Sequence, residues 1–187
     1  MVAALLAAGR SARFGAADKL ARDFRGVPLG LHAARALETV DLTRHWVIVR
    51  DAAHPCAQGW RAAGFELVVN PQADEGMGAS LRLAARLADE AGADSLLVCL
   101  ADMPLVTTAH IAALAGAWRA RGGVVASRDG ALVSPPAIFA REHFAALAGL
   151  AGDRGAKALL GQAGLVDSPV GALADIDDPA TLARLAR

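Results

Sequence analysis

The chain has 187 residues, 55% of them hydrophobic, enough to bury a sizeable core in one domain, 1–187, without metal or disulfide staples. Lysine plus arginine equals aspartate plus glutamate at 19 each, and aromatics reach only 4% with no tyrosine, which argues against nucleic acid as a partner. Cys56 and Cys99 lie far apart with no CxxC pair, as fits a reducing cytoplasm, and no apolar run predicts a secretory leader or a membrane span.

Strand-like apolar runs stand at 2–7 (VAALLA), 45–50 (HWVIVR), 65–69 (FELVV), 94–101 (DSLLVCLA) and 122–127 (GGVVAS), and segments with helical spacing separate them. In 77–90, Leu81, Ala84, Ala85 and Ala88 share one helical face while Arg82, Arg86 and Asp89 share another. The spacing predicts a second helix over 107–121, with Thr107 or Thr108 as N-cap and Gly122 and Gly123 as its stop. After Ser127 a Pro pair, Gly-rich turns and two short helical patches predict an antiparallel excursion. A short strand, an acidic loop and a final helix starting at Pro179 close the chain. The sum is α/β: a doubly wound, Rossmann-like domain with a mainly parallel sheet, whose sites collect at the carboxyl ends of strands.

Four blocks carry the chemistry. LAAGRSARFGAADK, 6–19, packs two glycines, two arginines and a lysine directly after the first strand. Five residues separate Gly9 from Gly15 and Lys19 comes four after Gly15, so this is no Walker A, and GxGxxG is absent too. A Gly-rich turn still lets backbone N–H groups approach an anion, and Arg10, Arg13 and Lys19 add charged donors suited to a polyphosphate. The alternative is a flexible loop with solvated basic side chains. LADMP, 100–104, ends the most apolar strand, where Asp102 can carry Mg²⁺ or simply cap the helix at 107–121. In ADIDDPATL, 174–182, Asp178 is placed to cap the last helix, which leaves Asp175 and Asp177 as candidates for a second metal ligand. In NPQADEGMGASL, 70–81, Gly76 and Gly78 keep the start of a helix free of bulk, so that Ser80 and the first amides can receive an oxygen-rich ligand, unless the glycines only make a turn. The five histidines, His32, His45, His54, His110 and His143, have no paired spacing and are expected on the surface or on helix faces rather than in catalysis.

Taken in order, these blocks resemble those of the MobA-like nucleotidyltransferases, above all the molybdenum cofactor cytidylyltransferase branch. The opening is similar to LAAGxSxRMGxxK, with Phe14 in place of Met and one extra residue before Lys19. GDRGAKALL at 152–160 resembles the family's late loop and helix, and DIDDP its closing acidic block. The resemblance implies a nucleotide-diphospho-sugar transferase-like fold and transfer of CMP from CTP, or GMP from GTP, to the phosphate of the molybdopterin cofactor, with release of pyrophosphate. It assigns Leu6, Ala7, Ala8, Gly9, Arg10, Arg13, Lys19, Asn70, Ser80 and Asp102 to the nucleotide. Arg13, Lys19 and Asp102 would be catalytic, and Gly76, Gly78 and Ser80 would face the cofactor substrate. Asp102 with Asp177 or Asp175 would hold Mg²⁺. A molybdenum hydroxylase would be the recipient, and neither nucleic acid nor membrane is involved. One departure stands out: Val133 and Ser134 occupy the place where relatives carry a glycine shortly before proline. Rival readings are a sugar-phosphate nucleotidyltransferase and a non-catalytic protein that holds or delivers the cofactor.

Overall fold

The computed structural model describes residues 1–15, 18–150 and 159–186. GDRGAKALL therefore lies almost wholly outside the described residues. Seven strands form one sheet in the order β5-β4-β1-β6-β8-β7-β9. They are β1 (Val2–Ala7), β4 (Arg44–Val49), β5 (Glu66–Val69), β6 (Ser95–Leu100), β7 (Val124–Asp129), β8 (Leu132–Ala140) and β9 (Gly164–Asp167). A separate ribbon pairs β2 (Asp23–Phe24) with β3 (Val27–Pro28). The helices are α1 (His32–Leu37), α2 (Ala57–Ala62), α3 (Met77–Glu90), α4 (Thr108–Arg121), α5 (Phe144–Ala148) and α6 (Pro179–Leu185).

β1 lies parallel between β4 and β6, with Leu5 opposite Val47 on one side and Cys99 on the other. All six of its residues are buried, because helices cover both faces of a parallel sheet. The period of two then sorts its side chains. Ala3, Leu5 and Ala7 join the core under α1, α2 and α4, whereas Val2, Ala4 and Leu6 join the core under α3 and α5. Leu5 and Leu97 are fully buried, and truncating either to alanine costs about 2–5 kcal/mol. Cys99 packs there as a small hydrophobe, its thiol pushed up to about 12 by burial.

The excursion expected after residue 127 is β8, which returns antiparallel between β6 and β7. The strand begins at Val124 rather than Gly122, since Gly122 and Gly123 take φ of 67° and 65° to end α4. On α3, Leu81, Ala84, Ala85 and Ala88 are buried while Arg86 and Asp89 are not, as the spacing predicts. Thr107 caps α4 by accepting the His110 amide at 3.2 Å, so Asp102 is free of that duty. Asp178 caps α6, accepting the Thr181 amide at 2.8 Å. Among the described residues, no helix is long and apolar enough to cross a membrane.

Candidate active site

β1, β4, β5 and β6 run parallel, so their carboxyl ends share one edge of the sheet, and a cavity of about 420 Å³ opens there. The first loop forms its near wall. Ser11 adopts a left-handed φ of 51° and Gly15 one of 68°, which fold Ala12–Phe14 into a single tight turn. The Ser11 hydroxyl accepts the Lys19 amide at 3.1 Å, and the buried Phe14 ring pins the turn to the core. A Cβ at Gly9 would meet nothing within 4 Å, so the fold itself does not require glycine there and the backbone stays open toward the cavity.

Lys19 enters this wall on a turn capped by Asp18, whose carboxylate accepts the Leu20 amide at 2.8 Å. His54 braces that cap, with Nε2 3.0 Å from Asp18, while its Nδ1 accepts the Cys56 amide and its ring packs against Trp60. Burial opposes ionisation of Asp18, but His54 and the Leu20 amide outweigh it and hold its pKa below the usual value.

The Lys19 ammonium donates to Asp102 at 2.7 Å and to Asp177 at 2.8 Å, and its side chain is only 9% exposed. Arg13 holds the other Asp177 oxygen at 3.1 Å. Three distant stretches therefore meet at one point. A backbone bond fixes the meeting, because the Ile176 amide donates to the Asp102 carbonyl at 3.0 Å and Ile176 is fully buried. Burial disfavours the Lys19 charge, yet Asp102 first and Asp177 next raise its pKa above the ordinary value. The hydrogen bond from Lys19 is the largest influence on Asp177 and lowers its pKa. Asp175 sits on the same loop but does not line the cavity; partial desolvation and then the charge of Asp177 raise its pKa.

Asp102 and Asp177 meet through the Lys19 ammonium, and two carboxylates brought this close are donors of the kind that suit a hard divalent cation taking its other ligands from phosphate and water. Among the described residues no three His, Cys, Asp or Glu side chains cluster closely enough for an all-protein metal cage. Asp177, rather than Asp175, lines the cavity beside Asp102.

The far wall comes from the β5–α3 connection. Gly76 takes a φ of 98° and leads into α3, where Gly76, Met77 and Ser80 line the cavity. Asn70 does not reach it: buried behind Ser80, it donates to the Ser80 hydroxyl at 3.1 Å and accepts the Gln72 amide at 3.0 Å. Asn70 therefore orients Ser80. Gly78 is buried in the first turn of α3, and Ala7 in the core. Leu6, Ala8, Gly9, Arg10, Arg13, Lys19 and Asp102 line the cavity.

Arg50 and Asp74 are charged lining residues that motif reading passed over. Arg50, first after β4, donates to Asp74 and to the Ala8 and Ala73 carbonyls at 3.1 and 3.3 Å. Arg10 donates to the same Asp74 oxygen at 2.9 Å. Hydrogen bonds from Arg50, then Arg10, hold the Asp74 pKa below its usual value. The position of Arg50 at a strand's carboxyl end, the rule that singled out Asp102, was the available signal.

Two expectations shift elsewhere. Val133 and Ser134 lie on β8 and do not line the cavity. His54 is neither on the surface nor on a helix. His110, on α4, is buried too; its Nε2 lies 2.8 Å from Ser127, which in turn donates to the Pro136 carbonyl. Burial lowers the His110 pKa.

The sequence pattern of the MobA-like NTP transferase domain matches residues 3–167. The purine catabolism protein PucB of Bacillus subtilis is 34% identical over 197 residues, covering 96% of this chain and 92% of PucB. Rv0371c of Mycobacterium tuberculosis, solved in complex with manganese, is 25% identical with a TM-score of 0.75 over 99% of this chain and 97% of its own. The molybdopterin-guanine dinucleotide biosynthesis protein A of Archaeoglobus fulgidus is 21% identical and shares the fold at a TM-score of 0.70, over 100% of this chain and 97% of that one. Asp177 lies beyond the matched span.

Proposed function

The chain belongs to the MobA-like NTP transferase family, has the nucleotide-diphospho-sugar transferase-like fold and is a nucleotidyltransferase; on that premise we propose that it transfers CMP from CTP to the phosphate of the molybdopterin cofactor, releasing pyrophosphate. The observation that carries this reading is the junction of Lys19 with Asp102 and Asp177 in one cavity beside the glycine loop. The preference for CTP over GTP rests on Leu6-Ala7-Ala8-Gly9, which resembles the cytidylyl form of the opening motif.

In this reading Leu6, Ala8 and Gly9 of the first loop and Ser80 hold the nucleotide. Asp102 and Asp177 hold a divalent cation, taken as Mg²⁺, and the manganese complex of the 25% identical relative supports such an ion. The cation would neutralise charge on the triphosphate. Lys19, whose position is set by two carboxylates and a capped turn, places a fixed positive charge at the phosphates, and Arg13 adds a second. Amides of the first loop and of the α3 start orient the anion. The acceptor phosphate is ionised near neutral pH, since its second pKa is about 6, so no general base is needed.

Pyrophosphate release from each of the four nucleoside triphosphates, with and without molybdopterin cofactor, in Mg²⁺ and in chelator, tests this. The expected result is release from CTP that requires both cofactor and metal. Release that depends on a sugar phosphate instead moves the acceptor assignment. Cofactor binding without any release would identify a carrier and refute the transfer.

A further inference from the structure

The proposed reaction brings two phosphate-bearing substrates into one cavity, while Lys19 and Arg13 serve only the nucleotide. A second pair of cations lines the same cavity: Arg10 from the first loop and Arg50 from the end of β4. Both direct a guanidinium nitrogen at a single oxygen, Asp74 Oδ1, at 2.9 and 2.5 Å. Two guanidinium groups converging on one anionic oxygen supply charge-assisted donors of the kind that hold a phosphate.

Asp74 is a weak occupant. It sits on the short turn Ala73–Glu75, its side chain is 74% exposed, and that of Arg10 is 63% exposed. Ion pairs this exposed contribute little and exchange readily. Arg50 is better anchored, because its bonds to the Ala8 and Ala73 carbonyls fix the guanidinium between the two walls. Its Nε is buried and bonds to no acceptor among the described residues, which leaves this arginine with a donor unused there.

Resting on the transfer reading of the cavity, we propose that Arg10 and Arg50 form the subsite for the phosphate monoester of the acceptor, and that Asp74 occupies it as an internal surrogate until the acceptor arrives. The acceptor phosphate replaces the Asp74 carboxylate on both guanidinia. Asp74 swings away with its turn, and the clasp between the two walls opens only for an anion able to take its place.

The test is calorimetric titration of methyl phosphate into protein already saturated with Mg²⁺ and α,β-methylene CTP, which cannot react. Asp74→Asn should bind methyl phosphate about tenfold more tightly than the parent chain, and the double variant Arg10→Gln/Arg50→Gln at least about tenfold more weakly. The KM for the acceptor should move in the same order. Equal affinity in all three proteins would overturn the proposal and leave a surface ion pair only. A loss confined to the CTP analogue would also overturn it, because the arginines would then belong to the nucleotide. Failure of the analogue to bind the parent chain counts against the nucleotide reading alone. Methyl phosphate titrated into the free protein then decides the subsite by the same ranking.

Discussion

Two ion clusters in one cavity are built on the same plan with the signs reversed. In the first, a single ammonium, Lys19, lies between the carboxylates Asp102 and Asp177; in the second, a single carboxylate, Asp74, lies between the guanidinia Arg10 and Arg50. Burial separates them. The Lys19 side chain is 9% exposed and that of Asp74 is 74% exposed. Partial burial lowers the effective dielectric around Lys19, so each partner lost there leaves an uncompensated charge, whereas water compensates most of what is lost at Asp74. The buried cluster is a fixed platform and the exposed one is exchangeable.

The largest effect expected from breaking this contrast is on the buried side. Asp102→Asn keeps size and removes charge, so turnover measured by pyrophosphate release should fall by at least about 10³-fold while stability drops by only about 1–3 kcal/mol. A variant that releases pyrophosphate at near the parent rate would refute the role of Asp102.

Next in size is Lys19→Met, which leaves Asp102 and Asp177 facing each other without the shared ammonium. The apparent affinity for CTP should fall, and urea unfolding should show a loss of about 1–3 kcal/mol near pH 7. The sign with pH comes from the two shifts. The raised pKa of Lys19 makes its contribution complete below the ordinary value of 10.5, and it is lost as pH climbs through the folded value above that. The lowered pKa of Asp177 makes its contribution complete above 3.8, and it is lost as pH falls through the folded value below that. The stability gap between parent and variant should therefore be widest and flat between those limits and narrow at both ends. A gap that widens in acid would contradict the geometry.

The smallest effect belongs to the exposed cluster. Asp74→Asn should leave the thermal unfolding midpoint unchanged, with only substrate affinities responding. A clear drop in that midpoint would show that Asp74 holds the fold together and erase the contrast.

Much of this arrangement was legible in the residues. β1 was readable because six consecutive apolar residues suit a strand buried on both faces, and Asp102 because it comes just after such a strand on the edge where α/β sheets bind ligands. Asp178 before Pro179 announced its cap. The choice between Asp175 and Asp177 was not legible. Two residues apart on one loop, they differ only in which side chain the loop turns toward Lys19, and the buried Ile176 between them decides that. Asn70 was misjudged for a related reason: a polar residue in a motif reads as a ligand contact until burial shows that its bonds go to Ser80 and Gln72.

Composition, apolar period and strand-end position thus determined the class of fold, the edge that bears the site and the identity of its opening loop, because local pattern dictates what must be buried. Tertiary structure alone decided which charges share a partner. Lys19 and Asp177 are separated by 158 positions, and Arg10 and Asp74 by 64. No local preference encodes such a pairing; it arises only once the core has packed and fixed where each loop can reach.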